Sequence, residues 1–177
     1  MQDEGIEFLT NYIKNNNVKQ ILEIGTAVGY SSIKMALINK NINITTIERD
    51  EVRYKEAIAN ITKMNLNNQI KCIKGDALEI ELNDKYDLIF IDAAKSQNIR
   101  FFEKYKCLLN KNGSIIVDNI YFHGVIHEDD SKLSRNVRGI KRKILEFIDY
   151  INSQTEYENK IYSKGDGIMV IKVKYEN

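Results

Sequence analysis

Residues 20–38 read QILEIGTAVGYSSIKMALI, and the change of period inside them decides the fold. Gln20 to Ile24 is a short apolar run closed by Gly25, the pattern of a buried strand. Tyr30 to Ile38 carries its apolar residues at helical spacing, and the turn between the two segments holds Gly25 and Gly29. Strand, glycine turn and helix in that order open a parallel sheet.

The unit recurs downstream. Ile42 to Ile47 reads as a strand ending at Glu48, with a helix from Val52 to Met64. Ile70 to Lys74 is a strand closed by Gly75, and Tyr86 to Ile91 is another, followed by a helix from Ile99 to Leu109. Ser114 to Val117 is introduced by the turn Lys111-Asn112-Gly113. A short helix over residues 6–14 precedes all of these, and a long one from Ser134 to Gln154 follows, with Ile140, Ile144, Phe147, Ile148 and Ile151 on one face. Tyr157 to Tyr162 and Ile168 to Val173 form a hairpin across SKGDG. The expectation is an α/β fold: a doubly wound, Rossmann-like, seven-stranded, mostly parallel sheet with a C-terminal antiparallel hairpin.

Composition bounds the function. A chain of 177 residues that is 43% hydrophobic and 29% charged suits a single domain, 1–177, with a full core, not a disordered segment. With 26 basic and 25 acidic residues the net charge is +1, so bulk charge selects no partner and any nucleic-acid reading rests on local clustering. Cys72 and Cys107 lack metal-site spacing and read as reduced, buried thiols of a cytoplasmic protein. The acidic start MQDEGIEFL lacks the basic flank and apolar core of a signal peptide. No apolar run reaches the roughly 18 residues of a membrane span.

Open α/β sheets bind ligands at the carboxyl ends of their strands, and the polar residues of this chain gather there. Glu23 to Gly29, Glu48, Gly75-Asp76, Asp92 and Asp118-Asn119 all fall at that edge. The G-x-x-x-G spacing of Gly25 and Gly29 satisfies neither the dinucleotide fingerprint nor a P-loop, which favours a nucleoside without a pyrophosphate. Glu48 is placed to accept from two ribose hydroxyls, and Asp76-Ala77 to meet an adenine edge; a glycine turn with two solvated acids is the plainer alternative. Two strands ending on Asp92 and on Asp118-Asn119 offer hard oxygen donors suited to Mg²⁺ rather than zinc. Against that stands a reading in which Asp92 caps the next segment and Asp118-Asn119 forms a turn.

The ordered set Glu23-x-Gly25-x-x-x-Gly29-Tyr30-Ser31, Glu48, Gly75-Asp76-Ala77, Asp92-x-x-Lys95 and Asp118-Asn119 resembles class I S-adenosylmethionine-dependent O-methyltransferases, of the metal-dependent catechol and caffeoyl-CoA branch. Within it, EIGTAVGYSSIKMA, FIDAAK and IIVDNIYFHG are most similar to bacterial tRNA 5-hydroxyuridine methyltransferases. The resemblance implies that S-adenosylmethionine is held by Glu23, Gly25, Thr26, Ala27, Gly29, Tyr30, Ser31, Glu48, Asp76, Ala77 and Asp92. It further implies Mg²⁺ on Asp92, Asp118 and Asn119, with Lys95 and Asp92 catalytic and Lys95 the general base. An exposed lysine at a helix start is the alternative for Lys95. Family members carry further N-terminal helices, ahead of the segment matching DEGIEFL, that cover the cofactor and contribute to a homodimer; the chain begins without them.

For the acceptor, SKLSRNVRGIKRK (131–143) places Arg135, Arg138 and Arg142 on one helix face, a stripe suited to tRNA phosphates or simply a solvated face. The expected substrate is the 5-hydroxyl of wobble 5-hydroxyuridine in tRNA. A small catechol-like phenol is the alternative acceptor, and a non-catalytic cofactor-binding remnant is a third reading. His123 is left unassigned, Phe122 reads as core, and Tyr30 could flank base or cofactor.

Overall fold

The computed structural model describes residues 2–174. Helix α1 (Asp3–Asn15) leads into β1 (Gln20–Ile24), α2 (Tyr30–Ala36), β2 (Asn43–Glu48), α3 (Glu51–Lys63) and β3 (Ile70–Lys74). The second half runs β4 (Tyr86–Ile91), α4 (Asn98–Tyr105), β5 (Leu109–Val117), α5 (Arg135–Ser153), β6 (Tyr157–Tyr162) and β7 (Ile168–Val173). The strands form one seven-stranded sheet in the order β3-β2-β1-β4-β5-β7-β6. The first five in that order are parallel, while β7 pairs antiparallel with both β5 and β6.

The alternation of side chains along the central strands explains the two layers of helix. Leu22, Ile24, Ile89, Ile91, Ile115 and Val117 point to the face covered by α4 and α5. Ile21, Leu88, Phe90 and Ile116 point to the opposite face, with Leu9 and Ile13 of α1 and Met35 of α2. Helix α5 shows why a long charged segment is helical. Its Ile144, Phe147 and Ile151 recur at i, i+3 and i+7 and are wholly buried, while Ser134 accepts from the Val137 N–H at 3.3 Å to cap the start. Each such side chain contributes roughly 1.5–3 kcal/mol by leaving water.

Two sequence expectations are corrected here. Lys111-Asn112-Gly113 does not precede β5 but lies within it, as an irregularity between the pairs Tyr86–Leu109 and Leu88–Ser114, with Asn112 left-handed at φ 68°. Cys107 is exposed, because the chain after α4 tightens into a 3-10 turn that carries it outward. Cys72 is half-buried, and that desolvation pushes its thiol up to about 11.

The strand order reverses between β1 and β4: the chain moves one way from β1 to β3, then returns to the other side of β1. A crevice opens at the carboxyl end of such a switch point.

Candidate active site

The switch point is built by a close crossing of two loops. Gly25 follows β1 and Asp92 follows β4, and the Asp92 N–H donates to the Ile24 carbonyl at 2.9 Å. A Cβ on Gly25 would lie 2.2 Å from the Asp92 carbonyl oxygen, and Gly25 has φ +101°, so only glycine fits. The crossing opens a cavity of about 390 Å³, walled by Gly25, Ala27, Glu48, Gly75-Asp76-Ala77 and Asp92.

Glu48, the last residue of β2, is held by two backbone donors: Ala27 N–H reaches Oε2 and Asp50 N–H reaches Oε1, each at 2.8 Å. The carboxylate is thereby held at the cavity wall with acceptor capacity to spare. Asp76 accepts the Leu78 N–H at 2.8 Å, which bends the 75–80 loop into an Asx turn over the cavity. Helix α4 holds that loop from below. Tyr105 Oη donates to the Ala77 carbonyl at 2.5 Å, Lys104 Nζ donates to the Leu78 carbonyl at 2.8 Å, and Phe101 on the same helix lines the cavity.

At the other end, β4 and β5 are paired up to Ile91 and Val117, so Asp92 and Asp118 emerge side by side. Asp118 is 1% exposed, and burial together with the charge of Asp92 pushes its carboxyl up to about 6. Lys95 Nζ donates to the Asp118 carbonyl at 2.9 Å and lies 3.5 Å from Asp92 Oδ1. The lysine therefore faces the strand ends, as expected, and is not a solvated helix start. The 3-10 turn that Lys95 begins has Ala94 at its N-cap and no side-chain cap bond, so Asp92 is not the N-cap of that turn. Asn119 lines the cavity with φ 58°, a left-handed conformation that asparagine tolerates.

Among the described residues no group of three or more His, Cys, Asp or Glu side chains could hold a metal. The donors at this end are two carboxylates and one amide. Paired carboxylates, one of them made reluctant to ionise by burial and by the charge of the other, are the hard oxygen donors that a divalent cation takes.

Part of the expected cofactor set lies elsewhere. Glu23 is fully buried beneath the loop, accepting from Ser31, Ser32 and Thr46, and burial pushes its carboxyl up to about 7. Thr26 is turned inward to Thr46 at 2.6 Å, and Gly29 packs over Ala57. Tyr30 points outward, 44% exposed, with its hydroxyl 3.5 Å from Asp3. Glu23, Thr26, Gly29, Tyr30 and Ser31 thus shape the loop from behind and do not line the cavity.

The cavity also has walls that the sequence reading missed: Arg49, Arg53, Leu78, Gln97 and Phe101. Arg49 was legible, since it follows Glu48 at the same strand end. Phe101 was not, because its helical spacing is that of a core residue. Arg135, Arg138 and Arg142 line one groove on α5, shared with Asp130, Glu146 and Asp149, so the stripe is mixed rather than purely basic. Helix α5 also packs against the Lys95–Gln97 turn. Phe122 packs against the core, as expected. Among the described residues no helix is long and apolar enough to cross a membrane.

The O-methyltransferase family model matches residues 1–174. An Arabidopsis thaliana protein provisionally named a caffeoyl-CoA O-methyltransferase is 33% identical over 172 residues, spanning 94% of this chain and 74% of the relative. A crystal structure from Staphylococcus aureus, also provisionally named a caffeoyl-CoA O-methyltransferase, superposes with a TM-score of 0.94 at 39% identity, covering 98% of this chain and 85% of the other. An O-methyltransferase from Bacillus cereus in complex with SAH gives 0.84 at 28% identity, covering 98% and 82%.

Proposed function

Because this chain belongs to the O-methyltransferase family, we propose that it moves the methyl group of S-adenosylmethionine to the 5-hydroxyl of 5-hydroxyuridine at the tRNA wobble position, with Mg²⁺, giving 5-methoxyuridine. One observation carries the reading: a single cavity joins a backbone-aimed ribose-type acid, Glu48, to the Asp92, Lys95 and Asn119 cluster. The spent cofactor bound by the Bacillus cereus relative supports S-adenosylmethionine as the donor.

S-adenosylmethionine supplies an electrophilic methyl on a sulfonium. Of the residues lining the cavity, Glu48 would hold its ribose diol, Asp76 its base edge, and Leu78 and Phe101 would be apolar walls. Mg²⁺ held by Asp92, Asp118 and Asn119 would acidify the acceptor hydroxyl and fix a neighbouring oxygen beside it. Lys95 Nζ would take the proton from the acceptor hydroxyl as the oxygen–carbon bond forms and the carbon–sulfur bond breaks. The products are the methyl ether, S-adenosylhomocysteine and protonated Lys95. Residues of β1, β4 and β5 do the positioning, and rigid strands keep the donor, acceptor and base in one geometry.

The tRNA acceptor is supported by Arg135, Arg138 and Arg142 in one groove on α5, a helix that also packs against the Lys95 turn. A second reading, methylation of a catechol-like phenol, is favoured by the name of the Arabidopsis relative and by the same need for two neighbouring oxygens. Mass spectrometry of tRNA nucleosides from a strain lacking this chain separates the two. Loss of 5-methoxyuridine with accumulation of 5-hydroxyuridine is expected; an unchanged tRNA profile, with dihydroxyphenyl compounds methylated in vitro, would replace the first reading by the second.

A further inference from the structure

The loop leaving Asp118 and Asn119 holds a run of backbone that most side chains avoid. Asn119, Phe122 and His123 have φ of 58°, 48° and 55°, followed by Gly124 at 80°. Left-handed residues other than glycine persist only where their surroundings hold them, and they cluster at sites of function.

The restraint comes from the turn between β6 and β7. Ile120 N–H donates to the Gly167 carbonyl at 3.0 Å, and Tyr121 N–H to the Asp166 carbonyl at 2.8 Å. His123 N–H donates to Asp166 Oδ1 at 2.6 Å. The Tyr121 ring lies across Gly167, where a Cβ would come within 2.7 Å of it. The turn is itself tied to α1, since Glu4 Oε2 accepts the Gly165 N–H at 2.9 Å.

Asp166 is 7% exposed, yet its Oδ2 has no hydrogen-bond partner among the described residues. That oxygen lies 3.5 Å from His123 Nδ1, while the His123 side chain is 73% exposed. A buried carboxylate oxygen without a donor is costly, and an N–H on Nδ1 is the group at hand to complete it. A carboxylate behind one ring nitrogen fixes the ring and turns the other nitrogen outward. An N–H on that outward nitrogen is a donor for an anion. His123 stands four residues beyond Asn119, in the loop that leaves the carboxyl end of β5.

We propose that His123, braced by Asp166, contacts a backbone phosphate of the RNA strand next to the acceptor nucleoside. The inference rests on the tRNA reading above. Asp166 is the positioning residue, acting through His123. An RNA strand offers one anion per nucleotide, so a phosphate lies within reach of any donor placed a step away from the methylated base.

The test is steady-state methylation of an anticodon stem-loop RNA carrying 5-hydroxyuridine, across a series of salt concentrations. His123→Ala should raise the KM for RNA about tenfold and lower the slope of log affinity against log salt by about one, the signature of one lost phosphate contact. Asp166→Asn, which keeps an acceptor for the His123 N–H, should raise the KM for RNA in the same direction, with the KM for S-adenosylmethionine moving less than twofold. His123 is exposed, so its variant tests the contact even where a change at Asp166 impairs folding. Methylation of the RNA by the unsubstituted protein, with KM and salt slope untouched in His123→Ala, overturns this inference alone. No methylation of the RNA by the unsubstituted protein overturns the tRNA reading and this inference with it.

Discussion

Gly25 and Asp92 touch through their backbones: a methyl group added to Gly25 would sit 2.2 Å from the Asp92 carbonyl oxygen and 2.9 Å from its carbonyl carbon. The neighbour is backbone at the end of a buried strand and cannot swing aside. Gly25→Ala is therefore expected to force β1 and β4 apart at their carboxyl ends, costing about 3 kcal/mol by strain and lost packing. Urea denaturation reads the stability and calorimetric titration reads cofactor binding, which should weaken in parallel. A variant with the parent's midpoint and affinity would show that the loops do not meet as described.

Tyr105 holds the Ala77 carbonyl from below at 2.5 Å without lining the cavity. Tyr105→Phe keeps the ring and removes only the donor, leaving a buried carbonyl unpaired, at about 1–3 kcal/mol. The 75–80 loop then loses one of its two ties to α4, the other being Lys104. The KM for S-adenosylmethionine should rise about three- to tenfold while kcat changes little. A fall in kcat at constant KM would place the role of Tyr105 elsewhere.

Lys95 is 11% exposed in its side chain, with Nζ 2.9 Å from the Asp118 carbonyl. General-base catalysis of this kind contributes roughly 10²–10⁴-fold. Lys95→Ala should lose turnover by about that factor, with cofactor affinity within about threefold of the parent. Lys95→Met tests the same point while keeping the apolar stem. Turnover near the parent rate in both variants removes Lys95 from the mechanism.

These residues differ in how far the sequence reveals them. The strand bounds Gln20–Ile24, Ile70–Lys74 and Tyr86–Ile91 follow from apolar runs that stop at glycine or a charge, and the structure has the same limits. Asp92, Asp118 and Glu48 were legible for the same reason, because a carboxylate ending a buried strand breaks its period. Side-chain direction inside the glycine loop was not: Thr26 and Ser31 turn inward to neighbours fixed only by packing. Nor was the contact of His123 with Asp166, which lie 43 residues apart and meet because β7 inserts beside β5.

Glu23 gives the pH dependence its sign. Its carboxyl is fully buried and pushed up to about 7, chiefly by burial and also by the charge of Asp92, against three hydroxyl donors that pull it down. In the unfolded chain it titrates near 4.5. The folded state thus binds the proton more tightly, so the stability linked to this group is full below about pH 4.5 and is lost as pH rises through about 7. The span corresponds to on the order of 3 kcal/mol. Asp118, raised to about 6, adds a smaller slope of the same sign. Glu23→Gln keeps an acceptor for the hydroxyls and removes the charge, so it should flatten the decline in stability between pH 5 and 8 without abolishing it. Urea denaturation of both proteins across that range measures this directly. Parallel curves would mean that Glu23 is ionised in both states throughout, and that its three hydroxyls outweigh its burial.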